Sequence, residues 1–188
     1  MAIPRGSRAH ATTSALIGIW VLATANTGGT QRQAGTKPGE PTKVSARHLQ
    51  IASYVTRTII APGEHFSAVL DIKPGPGIHV YAPEVKGYKP IRLTIEPQPG
   101  VVVSSARYPR SETYFFPALE EHVPVYQSPF QIVQDLAIDA SRKGQAALAG
   151  LSSLTIKGVL EYQACDDKIC FRAESVPLSW NVKLRPPE

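Results

Sequence analysis

The chain contains 188 residues with a formal net charge of +5, and 43% of them are hydrophobic while 19% are charged. This length fits one ordinary domain, and the hydrophobic content is sufficient for a packed core, which excludes a wholly disordered chain. The excess of Lys and Arg over Asp and Glu is small, and the sequence contains no run of Lys or Arg, so the charge gives no reason to expect nucleic-acid binding. Seventeen prolines, scattered along the sequence, argue against long helices and favour short strands joined by turns.

Residues 1–25 have the pattern of a secretory signal peptide. Arg5 and Arg8 give a positive start, residues 15–23 form a short apolar run, and residues 23–25 (Ala-Thr-Ala) offer a small-x-small cleavage site. The run is too short to span a bilayer as a stable helix, and a buried N-terminal helix or strand is the alternative. We therefore expect a periplasmic or secreted mature protein without membrane insertion, where a close cysteine pair is oxidised by default.

Residues 26–44 are polar and rich in Gly, Thr and Pro, which predicts a flexible linker. From residue 45 to residue 188, short alternating hydrophobic and polar segments are separated by turn signals, which predicts one antiparallel β-sandwich of immunoglobulin type. The clearest predicted strands cover residues 66–72, 91–95, 101–103, 129–138, 154–164 and 176–184. We also expect a short helix at 141–148 and a long irregular loop at 108–123.

The two cysteines lie close together in residues 162–171 (Tyr-Gln-Ala-Cys-Asp-Asp-Lys-Ile-Cys-Phe). Strand patterns on both sides predict a hairpin in which residues 166–169 connect Cys165 to Cys170. Cross-strand neighbours lie about 4.5–5.5 Å apart at Cα, which permits a disulfide. Because such a bond would close only a short loop, the chain-entropy model gives it about 2 kcal/mol of stabilisation, which is little for a domain of this size.

The side of the strand on which Cys165 falls bears on its chemistry. Alternation from Leu154 to Tyr162 places Cys165 with Glu161 and Gln163, on the polar face, which predicts an outward-facing disulfide. Exposed disulfides tend to be the labile, catalytic ones, but a structural staple remains equally open from the spacing. The adjacent acidic pair at 166–167 is either a polar hairpin tip or a charge that raises the thiol pKa.

The cysteine segment and the Val-Pro-Leu strand that follows it resemble the N-terminal periplasmic domain of the thiol:disulfide interchange protein DsbD. Further landmarks agree in order: residues 61–63 (Ala-Pro-Gly), 78–81 (Ile-His-Val-Tyr), 108–109 (Tyr-Pro) and 125–126 (Val-Tyr). The resemblance covers about residues 45–184 and is most specific at the cysteines. It implies an immunoglobulin-like sandwich in which Cys165 and Cys170 form a redox pair. The resemblance further implies that Cys170 forms the mixed disulfide with partners and that Cys165 resolves it.

The resemblance also implies partners and a shield. The family passes electrons between thioredoxin-fold proteins, so a separate donor and acceptor, no cofactor, a monomer and a part in protein-disulfide reduction are expected here. An aromatic loop covers the cysteine pair in the family, and residues 108–117 are the candidate for that loop in this chain. The candidate cap or partner-binding residues are Tyr81, Tyr108, Tyr114, Phe115, Phe116 and Phe171.

The sequence also departs from the family pattern. Phe-Arg-Ala-Glu follows at residues 171–174 where the family usually has Pro-Pro, and within these 188 residues we expect no counterpart of the membrane and thioredoxin domains of the whole family protein. A detached relative that kept the sandwich and lost the relay is therefore a second interpretation: a secreted protein-binding module with a structural hairpin disulfide.

Metal binding is a third interpretation, in which the reduced cysteines capture Cu(I) or Zn(II). The histidines after the signal peptide (His48, His65, His79 and His122) have no ligand-like spacing, and Met1 is the one methionine, so no metal site is expected. A thiolate–imidazole arrangement of His79 with the cysteines is conceivable in the reduced state, but the sequence does not place His79 near them.

Overall fold

A computed structural model describes residues 37–117 and 120–186 of the chain. The predicted signal peptide and most of the predicted linker lie outside these residues. The first strand occupies Thr42–Val44 and pairs with the next one, so the sheet begins inside the segment predicted as linker. Within the described part, no helix has the length and apolar character needed to cross a membrane.

The described residues form strands and one short helix. The strands are β1 (Thr42–Val44), β2 (Leu49–Val55), β3 (Ile59–Ile60), β4 (His65–Pro74), β5 (His79–Tyr81), β6 (Arg92–Ile95), β7 (Val101–Arg107), β8 (Glu112–Phe116), β9 (Glu121–Tyr126), β10 (Phe130–Ile138), β11 (Ser153–Tyr162), β12 (Ala164–Cys165) and β13 (Glu174–Leu184). Helix α1 (Arg142–Leu148) lies between β10 and β11. Its N-cap is Ser141, whose side chain accepts a hydrogen bond from the Gly144 N–H, which confirms the predicted helix.

Three sheets arrange these strands. The large sheet has the order β1-β2-β4-β10-β7, the second sheet β3-β13-β11-β6, and the site sheet β12-β5-β9-β8. Among the described strands every pairing is antiparallel except that of β3 with β13. The antiparallel β-sandwich predicted from the alternation is confirmed.

The core lies where the large and second sheets contribute their apolar faces to one continuous cluster. Leu70 and Ile132 come from the large sheet, and Ile156, Leu160 and Trp180 come from the second sheet. Burying a Leu or Ile side chain fully stabilises the folded state by about 1.5–3 kcal/mol, so this cluster is the main source of stability. Val80 and Tyr126 of the site sheet reach the same cluster, which joins the site to the sandwich.

The prediction of a long irregular loop at residues 108–123 is wrong. Glu112–Phe116 forms β8, which pairs with β9 from Glu112 opposite Val125 to Phe116 opposite Glu121. Sequence alternation missed this hairpin because β8 buries little of its surface, and its pairing with β9 rather than a core face makes it a strand.

Candidate redox site

Cys165 and Cys170 face each other in a tight hairpin and form a disulfide, with a Cα–Cα distance of 4.0 Å. Two backbone hydrogen bonds bracket the pair: the Phe171 N–H donates to the Ala164 carbonyl at 2.8 Å, and the Asp166 N–H donates to the Ile169 carbonyl at 3.0 Å. The cysteines thus occupy the narrow, non-hydrogen-bonded position of an antiparallel ladder, which is one of the two cross-strand positions that the predicted hairpin allowed.

Asp166 organises the hairpin tip. Its Oδ1 accepts hydrogen bonds from the backbone N–H groups of Lys168 and Ile169, both at 2.8 Å. An aspartate that accepts bonds from residues two and three positions ahead fixes a turn, which explains why this short connection closes. These two backbone bonds, with the nearby Lys168 and His79, hold the pKa of Asp166 below its usual value, so the tip carries a negative charge at neutral pH.

The two cysteines differ in exposure. Cys165 is 1% exposed and packs in a small buried cluster with Tyr81, Val123 and Val125, whereas Cys170 is an exposed residue. The outward orientation predicted for Cys165 is therefore wrong. Strand β11 ends at Tyr162, and Cys165 belongs to β12, which pairs with β5 in a different sheet, so the alternation of β11 does not continue to Cys165.

Two stacked tyrosine rings lie beside the disulfide. The Tyr81 hydroxyl lies 3.5 Å from Cys170 Sγ and, because a disulfide sulfur carries no hydrogen, the hydroxyl donates. The Tyr88 ring stacks on the Tyr81 ring at 4.5 Å, and the Tyr88 hydroxyl donates to a Glu121 carboxylate oxygen at 2.7 Å. This hydrogen bond to Glu121 is the first cause that raises the pKa of Tyr88 to about 12. Burial, followed by Glu121 and Tyr114, raises the pKa of Tyr81, so both hydroxyls keep their protons at neutral pH.

His79 lies directly across the ladder from Cys165. It is 3% exposed, and its ring is 4.4 Å from the Tyr114 ring and 5.8 Å from the Tyr81 ring. Burial lowers the pKa of His79, and the negative charge of Asp166 opposes that shift. The imidazole is therefore mainly neutral at pH 7, and it packs among aromatic rings on the residue that pairs with the buried Cys165.

Comparison with known families bears on this disulfide and its aromatic surroundings. The family model described as the N-terminal domain of thiol:disulfide interchange protein DsbD matches residues 48–176, which is more than half of the chain. The chain belongs to this family. Its members are thiol:disulfide interchange domains, and the match spans the disulfide hairpin and every strand of the site sheet.

Two solved domain structures are similar to the chain. The N-terminal periplasmic domain of ScsB from Proteus mirabilis has 14% sequence identity and a TM-score of 0.49, and covers 75% of this chain and 50% of its own length. This chain therefore spans about half the length of that domain. The reduced N-terminal domain of Neisseria meningitidis DsbD has 14% identity and a TM-score of 0.42, and covers 76% of this chain and 87% of its own. No curated protein matches the chain.

The structure brings some of the expected cap residues to this DsbD-type disulfide. Tyr81 contacts Cys170, and Tyr114 packs against the buried cluster that contains Cys165. Both residues lie on the site sheet, in β5 and β8, so strand pairing rather than a loop places them beside the sulfurs.

The other expected cap residues lie elsewhere. Tyr108 packs on the main core, where its hydroxyl accepts a hydrogen bond from the Leu93 N–H, and Phe171 also packs on the main core with its ring stacked on His48 at 3.9 Å. Phe115 is 48% exposed and its ring lies 5.0 Å from that of His122, on the opposite face of β8 from Tyr114. Phe116 is partly buried at the end of β8, across from Glu121.

Sequence reasoning missed Tyr88 and Glu121 and left His79 unplaced. Tyr88 lies in a segment without strand pattern, and the distance of 33 residues along the chain hides its hydrogen bond to Glu121. The available signal was the His-Val-Tyr alternation at residues 79–81, which predicts that His79 and Tyr81 share a face. In the described residues, no group of three or more His, Cys, Asp or Glu side chains is arranged to hold a metal ion.

Proposed function

We propose that this DsbD-type domain is a thiol–disulfide exchange module that passes electrons between thioredoxin-like partners through Cys165 and Cys170. The observation that carries the proposal is the unequal exposure of the two cysteines. A partner's thiolate must reach one sulfur along the S–S axis, and Cys170 is the accessible member of the pair. Cys165, buried against Tyr81 and Val125, is suited to leave and later to resolve the mixed disulfide.

The exchange step balances in electrons and protons. A thiolate of the electron donor attacks Cys170 Sγ, the Cys165–Cys170 bond breaks, and Cys165 leaves with the electron pair and takes up a proton. The donor's second thiolate then attacks the donor's first sulfur, which is bonded to Cys170 in the mixed disulfide. This attack releases Cys170, which also takes up a proton. The donor is oxidised to a disulfide and the domain is reduced to a dithiol. The same steps in reverse reduce an acceptor.

The surroundings of the pair support controlled access. The β8–β9 hairpin presents Tyr114 to the buried cluster on the Cys165 side, and Tyr81 contacts Cys170. We assign the shielding role to these two rings rather than to Phe115, which faces away. With Tyr114 and Tyr81 covering one side, a partner would approach at the exposed hairpin edge, where Ile169 is 56% exposed beside Cys170.

The cellular setting belongs to the same proposal. A signal peptide at residues 1–25 would export the chain, and residues 26–41 would separate the cleavage site from the first strand of the sandwich. The domain would then act in the periplasm as a monomer, without a cofactor, between a separate donor and a separate acceptor of the thioredoxin fold.

The test is the trapping of a mixed disulfide. The purified protein carrying Cys165→Ala, and separately Cys170→Ala, is incubated with a disulfide-activated thioredoxin-fold protein that lacks its own resolving cysteine. Cys165→Ala, which keeps Cys170, should accumulate the covalent complex on a non-reducing gel, and Cys170→Ala should not. Equal trapping by both variants would contradict the assigned roles. No trapping by either variant would leave a sandwich with a structural disulfide.

A further inference from the structure

We propose that His79 is the proton-transfer residue for Cys165 during exchange. This inference rests on the proposed function and adds to it the group that serves the buried sulfur. The observation that supports it is that His79 lies directly across the ladder from Cys165, and that both residues are buried from solvent.

The register fixes the geometry. Cys165 and His79 are Cα partners in the β12–β5 ladder, so their side chains leave the same face of the sheet. Cβ atoms of such partners lie about 4.5–5.5 Å apart, within reach of an imidazole and a thiol. The Tyr114 and Tyr81 rings pack around the His79 ring and restrict its movement.

Burial creates the need for such a group. A thiolate at Cys165 would form in a site that is 1% exposed, and desolvation disfavours the charged form of a thiol. The ionisable groups that face His79 from the packed elements are Tyr81 on β5, Tyr114 on β8, Cys165 on β12 and Asp166 at the hairpin tip. Of these, Asp166 has its pKa held low, and its charge favours a positive imidazolium when His79 accepts a proton.

The proton follows the electrons in both directions. When the mixed disulfide is resolved, the Cys165 thiol gives its proton to the neutral His79, and the thiolate attacks Cys170 Sγ. The bond from Cys170 to the partner then breaks, and the partner's sulfur leaves as a thiolate. When a donor opens the disulfide instead, Cys165 leaves as a thiolate, and His79, protonated from solvent, passes that proton to the sulfur and is neutral again. Neutral histidine at pH 7, maintained by burial, is the form that the resolving direction requires.

The experiment isolates the Cys165 step with a chromogenic disulfide, 5,5′-dithiobis(2-nitrobenzoate). The fully reduced protein reacts with one equivalent, so that Cys170 attacks first and releases one thionitrobenzoate, and Cys165 then closes the internal disulfide and releases the second. We expect His79→Gln to slow the second release about tenfold or more at pH 7, and to change the first by less than about twofold. The matched control is His122→Gln, an exposed histidine of the same sheet, which should change neither phase.

The pH profile of the unmodified protein is a second readout that needs no variant. The second release should rise with pH and level off below pH 7, as His79 becomes neutral at a pKa below the ordinary histidine value. A rate that climbs tenfold per pH unit through pH 8 would overturn the proposal, and so would a folded His79→Gln protein whose second phase is unchanged. If His79→Gln does not fold by circular dichroism, the pH profile decides.

Failure of this inference is distinguishable from failure of the proposed function. If the disulfide exchanges with a reduced thioredoxin but His79→Gln has no effect, only the role of His79 falls. If the disulfide exchanges with no thioredoxin-fold protein, the proposed function falls whatever the kinetics with the small disulfide.

Discussion

The sandwich core and the site sheet are built differently. In the second sheet, β11 and β13 share ten cross-strand pairs, and their inward residues join one large apolar cluster with those of the large sheet. In the site sheet, β5 makes two pairs with β12 and two with β9, and its buried cluster mixes tyrosine, cysteine and valine beside a buried histidine. Most of the buried apolar surface therefore lies in the sandwich, so we expect the disulfide to open without unfolding the domain.

Truncating the sandwich core should have the largest effect on stability. Leu160 is fully buried in β11, and Leu160→Ala removes apolar contacts and leaves a cavity, which costs about 2–5 kcal/mol of unfolding free energy. Urea unfolding of the oxidised protein, followed by circular dichroism, measures the loss. A loss below about 1 kcal/mol would contradict the placement of stability in this core.

Opening the disulfide should cost less. The Cys165–Cys170 bond closes a loop with a sequence separation of five, and a loop this short contributes about 2 kcal/mol in the chain-entropy model. The reduced protein should therefore remain folded, with a urea midpoint between those of the oxidised protein and oxidised Leu160→Ala. Unfolding on reduction would show that the site sheet, and not the sandwich, holds the fold together.

Removing the Tyr81 hydroxyl should affect chemistry and leave the fold intact. Tyr81→Phe deletes the donor to Cys170 Sγ, and losing a hydrogen bond worth about 1 kcal/mol to the thiolate should raise the Cys170 thiol pKa by about 0.7 unit. The pH dependence of iodoacetamide alkylation, measured in a Cys165→Ala background, reports this pKa. Tyr114→Phe is the control, since Tyr114 contacts the cluster through its ring. Equal shifts in the two variants would contradict a specific contact with Cys170.

The smallest expected effect is the contribution of His79 to the pH dependence of folding stability. Burial lowers the folded-state pKa of His79 below its unfolded value, so the unfolded chain binds more protons as the pH falls through the ordinary histidine range. Stability should therefore be full above about pH 6.5 and decline below it. His79→Gln should flatten this decline between pH 7 and pH 5.5, a window above the titration of carboxyl groups such as Asp166. Identical slopes in the two proteins would contradict a lowered pKa for His79.

The sandwich could be predicted from the sequence because its strands alternate on their own. β4, β10, β11 and β13 each present an apolar face to the core, and Ser141 marks the start of the helix. The hairpin around Cys165 and Cys170 could be predicted from the strand patterns on both sides of a four-residue connection, and Asp166 closes that turn.

The arrangement of the site was harder to predict because pairings between distant segments create it. Cys165 is buried because β12 leaves the β11 ladder after Tyr162 and pairs with β5, more than eighty residues earlier in the chain. The same pairing places His79 opposite Cys165, and no local pattern encodes that register. Strand β8 likewise owes its structure to β9 rather than to a face of its own.

The reduction potential of the Cys165–Cys170 pair distinguishes an exchange disulfide from a structural one. The purified protein is equilibrated in graded thiol buffers, and free thiols are counted by an alkylation gel shift. A labile exchange disulfide predicts a potential well above about −300 mV and rapid reduction by a reduced thioredoxin-fold protein. A potential below about −300 mV, with no exchange against that protein, would contradict the account and leave Cys165–Cys170 as a structural disulfide in a binding domain.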